Sequence, residues 1–135
     1  MIKLIIGKKG SGKTKTLIEL VNNALDTSNG SVICIEKGDK LKYDVKYQAR
    51  LVDTDEYLIN DGQSLYGFIA GMLASNHDIT DIFIDSAYKI CQNSVENLDC
   101  FLTQLDKLIS THLINCIMTA SVAPEDASET IKKYI

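Results

Sequence analysis

Eight residues near the start of the chain, Gly7-Lys8-Lys9-Gly10-Ser11-Gly12-Lys13-Thr14, combine the groups needed to hold a phosphate. Glycines let successive backbone N–H groups turn inward around an anion, and a helix opening just after them adds its positive dipole end. In that arrangement Lys13 reaches the β- and γ-phosphates of a nucleoside triphosphate, and the Thr14 hydroxyl is a ligand for Mg²⁺. A glycine-rich turn with basic neighbours can also occur without function. The context here matches the mechanism, because Lys3-Leu4-Ile5-Ile6 reads as a buried strand before the loop and Leu17, Leu20, Val21 and Ala24 recur at helical spacing after it.

A metal held by Thr14 needs a second anchor. Asp85 follows the apolar run Asp81-Ile82-Phe83-Ile84 and is expected to present its carboxylate at the carboxyl end of a strand, touching Mg²⁺ directly or through water. Asp53, ending Arg50-Leu51-Val52, is the rival. Hydrolysis also needs a base to orient water, yet Ser86 occupies the position after Asp85. Glu36, ending the apolar run Val32-Ile33-Cys34-Ile35, is the expected base, with Glu56 a weaker substitute. Thr119 and Ser121 are placed to contact a γ-phosphate from the end of the last strand. Arg50 is the only arginine, to be weighed as a finger offered to a neighbouring subunit or as a solvated surface residue.

These side chains must be positioned by a frame, and the frame is legible. Short apolar runs alternate with helical patterns, and the strands are apolar on both faces. That is the signature of an α/β fold: a mainly parallel sheet between two helical layers, with ligands bound at the carboxyl ends of the strands. The segment after Gly38-Asp39 is ambiguous: Leu41, Tyr43, Val45 and Tyr47 alternate with charged residues as in a half-exposed strand, or the segment is a charged loop. Leu65, Phe68, Ile69, Met72 and Leu73 predict an amphipathic helix, on which Gly67 and Gly71 would permit close packing. Leu98 to Ile109 predicts a long helix capped by Asn93 or Ser94, Leu113 to Thr119 a last strand, and Pro124-Glu125-Asp126 the start of a final helix ending at Lys132-Lys133.

At 135 residues, with 45 % hydrophobic and 24 % charged residues and one proline, residues 1–135 are expected to form a single nucleotide-binding domain. Four cysteines lack CxxC pairing, and His77 and His112 have no ligand-like spacing to them, which argues against zinc or a disulfide framework and for a reduced, cytoplasmic protein. No apolar stretch resembles a membrane span. Residues 1–48 hold nine lysines against five acids, whereas residues 49–135 hold five basic residues against thirteen acids. A basic front suits a phosphate site, while the net charge of −4 argues against a general nucleic-acid binder.

The loop GKKGSGKT together with Asp85 resembles the P-loop NTPase superfamily, and Glu36 at the end of the second strand resembles its RecA-like branch. Overall the chain is similar to small stand-alone bacterial P-loop proteins often labelled as twitching-motility (PilT-like) ATPases. The resemblance implies the P-loop fold and Mg-ATP binding through residues 7–14, with Lys13, Glu36 and Asp85 as catalytic groups and Thr14 and Asp85 on the metal. The complete loop, Asp85, Glu36 and the charged 37–48 segment beside the site point to a slow ATPase or a nucleotide-dependent switch acting through that segment, in which a second copy of the chain or another protein could complete the site. Two alternatives stay open: a small-molecule or nucleotide kinase, and a subunit that binds ATP without hydrolysing it. No Asn-Lys-x-Asp stretch is present to read guanine.

Overall fold

The computed structural model describes residues 1–135. Five strands form one sheet: β1 (Ile2–Ile6), β2 (Ser31–Glu36), β3 (Arg50–Asp53), β4 (Ile79–Ile84) and β5 (Asn115–Ala120). Their order across the sheet is β1-β5-β4-β2-β3, and every neighbouring pair is parallel. The helices are α1 (Lys13–Thr27), α2 (Gly62–Ser75), α3 (Ala87–Ile90), α4 (Val95–Ile109) and α5 (Glu129–Lys132).

Strand side chains alternate between the two faces, which divides the core. On one face Ile33, Ile35, Ile82, Ile84 and Met118 pack with Leu65 and Ile69 of α2 and Leu98, Phe101 and Leu105 of α4. On the other, Val32, Cys34 and Phe83 meet Leu17 and Val21 of α1. The α/β expectation is therefore met, with an all-parallel sheet covered by helices on both sides.

Several local readings are corrected. Residues 41–47 are not a strand: Lys40–Tyr43 is a single 3-10 turn. Leu41 and Val45 anchor it against α1, while Tyr43 and Tyr47 stand in solvent. The final helix does not run from Pro124. A short 3-10 turn, Pro124–Asp126, is followed by α5, because the Ser128 hydroxyl accepts the Ile131 N–H and starts a new helix there. Leu113 lies outside β5, 96 % exposed with φ 53°, and the strand begins at Asn115. Gly67 and Gly71 face open space on α2 rather than a packed neighbour. Of the two proposed caps for α4, Ser94 is the one used, accepting the Asn97 N–H.

Cys34, Cys91 and Cys116 are buried and Cys100 is exposed, all as free thiols. Burial pushes each of the three buried thiols up to about 12, with the Glu36 and Asp85 carboxylates adding to the effect at Cys34. Since the thiolate is the reactive form, a thiol reagent at pH 8 is expected to modify Cys100 promptly in the native protein and the other three only on unfolding. Mass spectrometry of the labelled protein reads the count.

No helix is long and apolar enough to cross a membrane.

Candidate functional site

The carboxyl ends of β1, β5, β4 and β2 open into one cavity of about 690 Å³. The glycine-rich loop forms one wall. Gly10 and Gly12 adopt φ 85° and 86°, left-handed backbone that side-chain-bearing residues rarely take, and a Cβ at Gly7 would stand 2.7 Å from the Ser11 hydroxyl. The loop therefore needs its glycines for shape. Lys13 folds back across it, donating from Nζ to the Lys8 carbonyl at 2.9 Å.

The start of α1 breaks the rule that the other long helices keep. Asp61 caps α2 in a capping box, and Ser94 caps α4 with Glu96 in its first turn. α1 has Gly12 at its N-cap, no capping side chain and no acid in its first turn. Lys13 and Lys15 lie there instead, so cations sit against the positive end of a 15-residue helix. An anion at this end would satisfy both the free N–H groups and the lysines.

Asp85 lies just beyond β4 and is 9 % exposed. Three groups fix it. Its N–H donates to the Ile35 carbonyl at 2.8 Å; the Thr119 hydroxyl donates to Oδ1 at 2.8 Å; and the Thr14 hydroxyl donates to the same oxygen at 3.1 Å. Thr119 in turn accepts the Ser86 N–H at 2.8 Å. Residues 71 positions apart in sequence, Thr14 and Asp85, are thus joined by a hydrogen bond. Thr119 and Ser121 both line the cavity, Thr119 buried with its hydroxyl committed to Asp85. Replacing Thr119 by valine keeps the shape but strands the Ser86 N–H and leaves Oδ1 only the longer bond from Thr14. A loss of about 1–3 kcal/mol is expected, measured by urea unfolding at neutral pH.

Glu36 closes β2 and is 4 % exposed at the cavity wall. Its two oxygens accept the N–H groups of Lys40 and Leu41, at 3.1 and 3.0 Å, so the carboxylate also anchors the 3-10 turn. Burial raises its pKa, the two N–H groups oppose the shift, and the nearby Asp85 and Asp53 carboxylates add to it. Each carboxylate oxygen keeps a second lone pair for a further donor.

Asp53 is not at the cavity. It caps the turn after β3, accepting from the N–H groups of Gly38 and Asp55 at 2.9 Å each. Glu56 is exposed and away from the cavity. Arg50 is exposed beside Ser31 and Ile79, at the amino ends of the strands and the opposite end of the sheet. His77 and His112 are exposed and form no cluster with cysteines or acids.

Lys37 and Tyr88 fall in the stretches just after β2 and β4 where the parallel-sheet pattern places ligands, whereas Lys40, Lys89 and Asn93 carried no sequence signal for the cavity. A lysine in a charged loop looks like any solvated lysine, and only the order of strands brings these opposite the glycine-rich loop.

No group of three or more His, Cys, Asp or Glu side chains converges to hold a metal unaided. The oxygens of Thr14 and Asp85 are hard donors of the kind Mg²⁺ takes when phosphate oxygens and water complete its shell, so the donor set fits a metal that arrives with a phosphate. In comparisons with known proteins, no family model matches the chain and no curated protein matches it in sequence.

Proposed function

We propose that the chain is a cytoplasmic Mg-ATP-binding P-loop domain of RecA-like type that hydrolyses ATP slowly. The observation that carries this reading is the junction of Thr14 and Asp85 at 3.1 Å, beneath an uncapped helix start preceded by glycines and flanked by lysines. Gly7 to Thr14 would wrap the β- and γ-phosphates with backbone N–H groups. Lys13 would leave the Lys8 carbonyl to reach the same oxygens. Thr14 and Asp85 would hold Mg²⁺, which when bound neutralises charge developing on the phosphates. Thr119 keeps the Asp85 carboxylate oriented for that task. Glu36 would accept a proton from the attacking water, and burial, by raising its pKa above the ordinary carboxylate value, makes it a stronger base for that step.

Sheet order supports this assignment of roles. β4, which leads into Asp85, lies two strands from β1, and β2, which ends at Glu36, lies beside β4. The metal anchor therefore stands between the phosphate loop and the base. The reading is tested by thermal unfolding with Mg-ATP, Mg-ADP, Mg-GTP or no nucleotide. A ligand at ~100 times its Kd adds about 2.7 kcal/mol, a midpoint rise of several degrees for a domain of this size. Mg-ATP is expected to give that rise; its absence with every nucleotide would sink the reading.

A further inference from the structure

A base that activates water must present a free lone pair at hydrogen-bond distance from it, and the direction of that lone pair is set by whatever else the carboxylate holds. For Glu36 the other partners are the N–H groups of Lys40 and Leu41, at 3.1 and 3.0 Å. Both belong to the 3-10 turn Lys40–Tyr43. One short 3-10 turn does not hold itself in place, so the aim of Glu36 depends on what fixes the turn.

Three attachments fix it. Toward the sheet edge, the Gly38 N–H donates to Asp53 at 2.9 Å. Beneath the turn, Leu41 and Val45 are buried with Leu17 and Val21 of α1. Beyond it, the side chain of Asn22 closes a clasp on the backbone. Its amide nitrogen donates to the Asp44 carbonyl at 3.1 Å, and its amide oxygen accepts the Lys46 N–H at 3.1 Å. A residue of a parallel strand pairs in the same way, with the carbonyl of one residue and the N–H of the second residue after it. Asn22 does with a side chain what a neighbouring strand does with its backbone.

The residue type and its place agree with this. Asparagine is a weak helix former that usually serves caps and turns, yet Asn22 lies in the interior of α1, half-buried, with its amide turned to another segment. The same helix begins at the glycine-rich loop and carries Thr14, about 12 Å back along the axis.

From this geometry we infer that Asn22 is a positioning residue for ATP hydrolysis: its clasp ties the turn that aims Glu36 to the helix that opens at the phosphate loop. The inference rests on the ATP reading of the loop and on Glu36 as the base. Asn22 touches neither nucleotide nor water and acts through the turn alone.

The test compares the wild type with Asn22→Ala in three readings. Titration calorimetry with Mg²⁺ and the β,γ-imido analogue of ATP comes first. Failure of the wild type to bind overturns the ATP reading itself. Equal affinity in the two proteins is expected, and a large loss in Asn22→Ala would make the clasp a support of the phosphate loop and overturn its role at the base. Amide hydrogen exchange without nucleotide is expected to run about tenfold faster at Leu41 in Asn22→Ala, with Ile35 and Ile82 in the sheet unchanged. A wild-type rate at Leu41, or equal acceleration at all three, overturns the local role of the clasp whether or not ATP binds.

In steady-state assays below the unfolding midpoint, Asn22→Ala should lower kcat about tenfold while KM for ATP changes less than about twofold. An undiminished kcat, or a wild type that binds ATP without turning it over, overturns the inference. Lys46→Ala keeps the N–H that Asn22 accepts and removes only the ion pair with Asp26 at 3.3 Å. It is expected to match the wild type, and a loss equal to that of Asn22→Ala would assign the effect to the ion pair instead.

Discussion

Lys13→Ala is expected to abolish the heat of Mg-ATP binding in titration calorimetry at concentrations that saturate the wild type, a loss of at least a hundredfold in affinity. The side chain is well placed to have this effect. Lys13 now donates to the Lys8 carbonyl at 2.9 Å and stands 3.4 Å from the Ser11 hydroxyl, both groups of the same loop. A phosphate oxygen is a stronger acceptor than a neutral carbonyl because the bond is charge-assisted, so anion binding pulls the ammonium away from a weak partner. Stability should move little, since both of these hydrogen bonds are exposed to solvent. Circular dichroism of the variant would confirm this. A variant that folds and still binds ATP with wild-type affinity contradicts the role given to the loop.

Glu36→Gln is expected to lower ATP turnover by about 10²–10⁴-fold while Mg-ATP binding survives. A carboxamide keeps an acceptor for one of the two N–H groups, from Lys40 and Leu41, that the carboxylate now serves, but it cannot take a proton from water. pH provides a second readout. Burial lifts the pKa of Glu36 above its ordinary value of 4.5, so the folded protein holds the proton more tightly than the unfolded chain. The wild-type rate should rise with pH along a limb above 4.5, as the base loses its proton, and the limb should vanish in the variant. For stability the sign is opposite. The contribution of this group is fully present below 4.5 and is lost as pH rises through the elevated folded value, and Glu36→Gln should flatten that part of the profile. Equal turnover in both proteins would remove Glu36 from the chemistry and leave it as the anchor of the turn.

The division between what the sequence discloses and what it conceals follows physical lines. β4 and β2 are legible because a strand covered on both faces must be apolar throughout, and the first polar residue after each run, Asp85 and Glu36, falls at the carboxyl end where the cavity opens. The helices α2 and α4 are legible because their buried residues recur three and four apart. The 41–47 segment misleads because two periods fit it. Residues 41, 43, 45 and 47 alternate like a strand, but only Leu41 and Val45, four apart, are buried. What decides between the periods is the Glu36 carboxylate gathering the N–H groups of Lys40 and Leu41, a bond that no pattern of apolar residues announces.

Asp53 shows the complementary difficulty. Like Asp85 it follows a short apolar run in sequence, but the sheet order puts β3 at the far edge, beyond β2. There its carboxylate caps the turn after the strand instead of facing the cavity. Strand order likewise brings Lys40 and Lys89 to one cavity, and strand order is set by crossovers that local sequence does not encode. The glycine-rich loop is the opposite case. Its distinguishing features are left-handed backbone at Gly10 and Gly12 and cations where a helix would ordinarily prefer an acid, and both are written in residue types.

The most direct measurement is a ¹⁵N–¹H NMR titration of the wild-type protein with Mg-ATP, because backbone amides that cradle phosphates report on them individually. The account predicts large, saturable shifts of the Gly10, Ser11, Gly12, Lys13 and Thr14 amides, with Gly30 and Ser31 at the opposite end of the sheet unmoved. A titration that leaves the Gly10–Thr14 amides in place, or moves only residues away from the cavity, would contradict it.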